Sequence, residues 1–138
     1  MILYVDSSVI LRRVLGQERT LEGWEQFDGV VTSALAEVEC LRTLDRLRVR
    51  DRLEVGQIVA WREGVFGLLR GAEVFDVTRV VLHRASQPMA TTVGALDAIH
   101  LATALLWRER ASDDLAMATH DGALGAAARA SGLLVFGL

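Results

Sequence analysis

The stretch Gly94-Ala-Leu-Asp-Ala-Ile-His-Leu-Ala-Thr-Ala-Leu-Leu-Trp107 sets one carboxylate, Asp97, into an otherwise apolar, small-residue helical pattern. At about 100° per residue, Asp97, Leu101, Ala104 and Arg108 share one stripe of that helix. Ala98, Ala102 and Ala104 are short enough to let it lie tight against a sheet. A carboxylate in a first helical turn gains about 0.3–1 kcal/mol from the helix dipole, so N-terminal charge placement is one reading of Asp97. The other is a partly buried charge, which needs a partner or a cation and so directs attention to further acids.

Outward from this helix, the chain alternates short apolar runs with helical patterns. Ile2–Val5 reads as a buried strand that stops at Asp6-Ser7-Ser8, a turn that caps a short helix from Val9 to Leu15. Thr20 opens a second helical piece with Leu21, Trp24 and Phe27 on its apolar side. Val30–Ser33 is a second strand, and Ser33 caps a helix from Ala34 to about Val49. Leu53–Leu69 forms a helix through Ile58, Trp61, Val65 and Leu69, Ala72–Val77 a third strand, and Thr78 caps a helix through Ser86. After Arg110 come a strand at Leu115–Ala118, ending at Thr119-His120-Asp121, a helix from Gly122 to Ala130, and a last strand at Leu133–Phe136. Continuously apolar strands alternating with helices predict an α/β fold in three α/β/α layers, with a parallel sheet of four to five strands covered on both sides.

The 138 residues fit one domain, 1–138, with 51% hydrophobic and 24% charged residues and a single proline. No apolar run approaches the roughly 18 residues of a membrane span, and the first residues lack a signal-peptide pattern, so the expected location is the cytoplasm. The lone Cys40 cannot form an internal disulfide and reads as a core residue. The net charge is −3 and every basic residue is arginine. Absence of lysine excludes a phosphate-loop nucleotide binder and disfavours receiver-type phospho-acceptor domains. Five arginines, Arg42, Arg46, Arg48, Arg50 and Arg52, stand against Asp45 and Asp51 in one local patch. Such a patch suits either a phosphate backbone or a solvated helical face.

In an open parallel sheet, ligands bind outside the carboxyl ends of the strands, where Asp6 and Asp121 both fall. Asp97 and one glutamate of the helix after Ser33 can complete a cluster of four acids. Glu37 and Glu39 point roughly 200° apart, so only one faces a given site. An exposed ion pair of Glu39 with Arg42 is the alternative use of that residue. Clustered carboxylates repel and take up protons unless a cation neutralises them, and hard oxygen ligands suit Mg²⁺ or Mn²⁺. His100 and His120 read as packing or hydrogen-bonding residues.

The segments Tyr-Val-Asp6-Ser-Ser, Thr-Ser33-Ala-Leu-Ala-Glu-Val-Glu39-Cys-Leu-Arg42, Leu-Asp97-Ala-Ile-His-Leu-Ala-Thr-Ala and Ala-Thr-His-Asp121-Gly-Ala-Leu together resemble a PIN-domain ribonuclease of the VapC toxin type. The resemblance covers nearly the whole chain. It implies that Asp6, Glu39, Asp97 and Asp121 are the metal-binding catalytic acids, with Glu37 in reserve. It also implies a Mg²⁺- or Mn²⁺-dependent endoribonuclease, a cognate VapB-type antitoxin whose C-terminal segment covers the cleft, and a homodimer. Ser7, Arg12, Arg13, Arg42, Arg46 and Thr119 are the substrate-binding candidates. The Trp-bearing segments Leu21–Phe27 and Leu53–Leu69 offer surface for a dimer or antitoxin contact. A haloacid-dehalogenase phosphatase fits poorly, because Ser8 stands where that class needs a second aspartate and lysine is lacking. A PIN-like module that binds RNA or protein without cutting is the remaining alternative.

Overall fold

The computed structural model describes residues 1–138. Its strands are β1 (Ile2–Val5), β2 (Gly29–Ser33), β3 (Glu73–Phe75), β4 (Leu115–Ala118) and β5 (Leu134–Phe136). They form one sheet ordered β3-β2-β1-β4-β5, and every pairing is parallel. The helices are α1 (Ser7–Val14), α2 (Ala34–Asp51), α3 (Val55–Arg70), α4 (Arg79–Ala85), α5 (Ala95–Arg110) and α6 (Gly122–Ala130). No helix is long and apolar enough to cross a membrane.

Side chains on successive strand residues point to opposite faces, and β1 shows what this does to the core. Leu3 and Val5 turn to one side, where they pack with Val9 and Ile10 of α1, Cys40 and Leu44 of α2, and Val65 of α3. Tyr4 turns to the other, with Leu101, Ala104 and Leu105 of α5, Met117 of β4, and Leu124 and Ala127 of α6. The result is the expected α/β/α arrangement with five strands. Each fully buried large side chain, such as Leu3, Ile10 or Leu101, contributes about 1.5–3 kcal/mol by leaving water. Ala98, Ala102 and Ala104 are all buried, so α5 does lie against the sheet along its small residues.

The strand order places a topological switch at the centre. From β1 the chain builds outward through β2 and β3, then crosses back to lay β4 on the other side of β1. Connections therefore leave β1 and β4 in opposite directions, which opens a crevice at their carboxyl ends. Val5 is in register with Ala118, and the backbone N–H of Asp6 donates to the Ala118 carbonyl at 3.3 Å.

One expectation is corrected. The segment after Thr20 is not a helix: only Trp24–Gln26 forms a short 3-10 turn. Gly23 precedes it at φ +79°, and the Trp24 indole N–H donates back to the Leu21 carbonyl at 3.0 Å, which fixes a compact turn. Leu21, Trp24 and Phe27, with Trp61 and Phe66 of α3, pack against the core face of α1–α3 and are partly buried there, which limits them as free contact surface. On the edge strands, Val74, Leu134 and Phe136 remain exposed, since an edge strand lacks one neighbour.

Candidate active site

Asp6 follows the last residue of β1 and is the N-cap of α1. Its Oδ1 accepts from the Val9 backbone N–H at 3.2 Å and from the Ser8 hydroxyl at 2.6 Å. Its Oδ2 accepts from the Thr119 hydroxyl at 2.6 Å. The carboxylate is only 3% exposed, and these donors make such burial tolerable. Thr119 itself is fully buried, and its hydroxyl also accepts from the Asp121 backbone N–H at 3.0 Å. Its position therefore supports the two aspartates rather than reaching outward. The Ser8 hydroxyl accepts from the His120 N–H at 2.9 Å, stitching the end of β1 to the end of β4. The sequence reading missed Ser8, although a serine two residues after an aspartate that ends a strand is a recognisable turn signal.

Asp121 caps α6, with Oδ1 accepting from the Leu124 N–H at 2.9 Å. Glu39, one turn beyond the first turn of α2, is held differently. The buried Tyr4 hydroxyl lies 2.8 Å from His100 Nδ1, and His100 Nε2 lies 2.5 Å from Glu39 Oε1. Burial, and secondarily the charge of Asp6, raise the Tyr4 pKa well above its ordinary value, so the phenol keeps its proton and donates to Nδ1. With Nδ1 accepting, the ring carries its proton on Nε2 and donates to Glu39.

His100 lies three residues after Asp97 on α5, so the two share a helix face, and Glu39 meets that face. Asp97 occupies the first turn of α5, where the dipole favours its charge. Its carboxyl is nevertheless pushed above the ordinary carboxylate range. Burial is the largest cause and the charge of Asp121 the next; His100 opposes them, and Asp6 and Glu39 add to the rise. Asp97 thus feels Asp6, Glu39 and Asp121 together, four acids from two strand ends and two helices. Glu37 makes no such contribution. Arg42 does not pair with Glu39: its guanidinium lies 3.1 Å from Asp45.

As placed, no three His, Cys, Asp or Glu side chains form a cage for a metal ion. The donor chemistry nonetheless fits a hard divalent cation: all the groups are carboxylate oxygens, and at Asp97 burial and the charge of Asp121 outweigh the opposing influence of His100. No arginine or histidine forms an ion pair with Asp6, Asp97 or Asp121.

The remaining candidates are dispersed around this cluster. Ser7 uses its carbonyl as an acceptor for the Cys40 thiol at 3.8 Å. Cys40 is fully buried, and burial raises its thiol pKa to about 12. Arg12 and Arg13 lie in the last turn of α1, and the Arg13 guanidinium stacks 5.0 Å over the Trp24 ring. Arg46 donates to the Thr43 hydroxyl at 2.9 Å. Farther along α2, Arg48 pairs with Asp45 and Arg50 with Asp51, so the basic patch there is partly neutralised.

Comparison with known proteins follows the same lines. Residues 3–130 match the PIN domain family. No curated protein matches the sequence. The structure superposes on the crystal structure of FitAcB from Neisseria gonorrhoeae with a TM-score of 0.72 at 21% identity, covering 99% of this chain and 96% of that one. A toxin–antitoxin complex from Klebsiella pneumoniae gives a TM-score of 0.66 at 15% identity, with 97% and 95% covered. VapBC2 from Rickettsia felis, bound to a DNA fragment from its promoter, gives 0.65 at 9% identity, with 99% and 98% covered. At these identities the three structures share a fold with this chain.

Proposed function

The chain belongs to the PIN domain family, and from that premise we propose that it is a divalent-metal-dependent endoribonuclease, the toxin of a VapBC-type toxin–antitoxin pair. The observation that carries this reading is that Asp6 and Asp121, bridged by the Thr119 hydroxyl at the ends of β1 and β4, lie at the switch point of the sheet, with Asp97 electrostatically coupled to both and to Glu39. A cluster of carboxylates at a strand-end crevice is suited to a hard cation and, through it, to a phosphodiester.

Asp6, Glu39 and Asp97 would hold Mg²⁺ or Mn²⁺, with Asp121 as a fourth acid. When bound, such an ion lowers the pKa of water and offsets negative charge on a phosphodiester during hydrolysis. The protein's own contribution is orientation. Ser8, Val9 and Thr119 fix the Asp6 carboxylate, and the Tyr4–His100 pair fixes Glu39, as hydrogen bonds to ligating carboxylates do in metal sites. Arg12 and Arg13 on α1 and Arg42 and Arg46 on α2 would offset substrate phosphates.

A VapB-type antitoxin is the proposed protein partner. Support comes from the resemblance and from the neighbours, one of which is a toxin–antitoxin complex and another VapBC2. A homodimer belongs to the same proposal, and exposed apolar side chains such as Val80 and Leu82 on α4 offer area for it.

The test is cleavage of a long RNA by purified protein with and without Mg²⁺ or Mn²⁺, alongside Asp97→Asn. Cleavage that needs the divalent ion and disappears in the variant is expected. Cleavage that survives the substitution, or proceeds in chelator, would overturn the reading.

A further inference from the structure

Beside the carboxylates opens a cleft of about 810 Å³, with Arg12, Arg19, Thr20, His120 and Gly122 among its lining residues. Neither arginine has an acidic partner within the chain, and Glu22 is the one acidic side chain on the lining. Arg19 is exposed and sits at φ +58°, a left-handed conformation that costs a non-glycine residue roughly 1–2 kcal/mol.

His120 adds a second, independent feature. Its Nδ1 lies 2.5 Å from the Gly137 carbonyl. A carbonyl can only accept, so Nδ1 carries the hydrogen. The other ring nitrogen, Nε2, is buried and has no hydrogen-bond partner. A buried polar atom left unpaired marks a place where a water or a ligand atom completes the structure. In the neutral ring that atom is an acceptor, which suits a hydroxyl.

The cleft borders the acidic site through His120 and Gly122, the two residues that flank Asp121. His120 immediately precedes Asp121, and Arg12 lies about 9 Å along α1 from Asp6 at 1.5 Å rise per residue.

Resting on the nuclease reading above, we propose that this cleft binds a flanking nucleotide of single-stranded RNA: Arg12 and Arg19 hold its phosphate, and the buried His120 Nε2 accepts from one water that in turn bonds the ribose 2′-hydroxyl. Arginine forks match phosphate oxygens, and the 2′-hydroxyl is the group by which a protein tells RNA from DNA. His120 is thus a specificity residue of the cleft, while the carboxylates remain the cutting site.

The experiment is fluorescence anisotropy of labelled single-stranded RNA and DNA 12-mers of identical sequence, in chelator so that nothing is cut, over a range of salt. Wild-type protein binds the RNA more tightly than the DNA. Arg12→Gln and Arg19→Gln weaken both, and each lowers the slope of log affinity against log salt by about 0.7, one phosphate's worth for a single strand. His120→Phe brings RNA affinity down to the DNA level, whereas His120→Gln, which keeps an acceptor, retains part of the preference. Because Arg19 is exposed, its variant tests the phosphate contact even if a His120 variant folds poorly. Unchanged salt slopes in both arginine variants, or an unchanged RNA-to-DNA ratio in a folded His120→Phe protein, overturn the proposal. If wild-type protein still cuts RNA with Mn²⁺ in that case, the nuclease reading stands alone. If it neither binds nor cuts RNA, both fall.

Discussion

His100 Nε2 donates to Glu39 Oε1 across 2.5 Å, and the residues joined in this way come from helices on opposite faces of the sheet. The bond passes the carboxyl end of the sheet, where α2 and α5 approach one another beside β1. Tyr4, on β1 itself, closes the chain of hydrogen bonds from beneath. A glutamate on a long helix has several rotamers, and this contact selects one of them.

His100→Phe removes the donor while keeping an aromatic ring. The expected cost is about 10–100-fold in divalent-metal affinity or activity, as for partners of metal-ligating groups generally. Folding stability should fall by roughly 1–3 kcal/mol, because the Tyr4 hydroxyl is left buried without its acceptor. Metal titrations of cleavage and urea unfolding read the two effects separately. His100→Gln, with an amide N–H for Glu39, should recover part of the metal affinity.

Asp97→Asn should raise thermal stability in chelator at neutral pH. The folded-state pKa of Asp97 is raised, so the folded protein holds this proton more tightly than the unfolded chain. Its favourable contribution is complete below the unfolded carboxylate value of about 3.9 and is lost as pH climbs through the raised folded value. The variant escapes that loss. Melting curves at pH 7.5 should show the variant a few degrees above wild type, and the gap should shrink at pH 4.5. Mg²⁺ should then raise the wild-type midpoint and leave that of the variant nearly unchanged.

Thr119→Val keeps the shape of a buried side chain but removes the donor to Asp6 Oδ2 and the acceptor of the Asp121 N–H. Loss of a hydrogen bond to a buried charge should cost roughly 1.5–3 kcal/mol in denaturant unfolding. Cleavage should fall together with it, since both strand-end aspartates lose a fixed partner. A variant with full activity and unchanged stability would show that Thr119 positions neither.

Cys40, with its thiol raised to about 12 by burial and then by the charges of Glu39 and Asp6, should be inert to thiol reagents in the native protein at pH 8. It should react at an ordinary rate once the chain is unfolded in guanidinium. Fast labelling of native protein would contradict the packing around α2.

Much of this architecture could be read from residue patterns, and the exceptions have physical causes. Leu115–Ala118 and Gly122–Ala130 run as expected because an unbroken apolar strand, an aspartate cap and an alanine-rich helix are all local signals. Leu21, Trp24 and Phe27 suggested a helical face, yet a left-handed glycine interrupts them and they fold onto α1–α3 instead. For Glu37 and Glu39, helical geometry said only that one of the two could face a site. The contact that distinguishes them joins residues 61 apart in sequence, so no local pattern could report it. The turn at Ser8 had a local signal, but its bond to the His120 N–H and the orphan nitrogen of His120 did not, since both arise where the end of β1 meets the end of β4.

Calorimetric titration with Mn²⁺ reads out whether Asp6, Glu39, Asp97 and Asp121 gather around divalent metal as proposed. Wild-type protein should bind Mn²⁺, Glu39→Gln and Asp97→Asn should each lose at least about tenfold in affinity, and Glu37→Gln should bind as wild type does. Equal Mn²⁺ affinity in wild type, Glu39→Gln and Asp97→Asn would contradict the account.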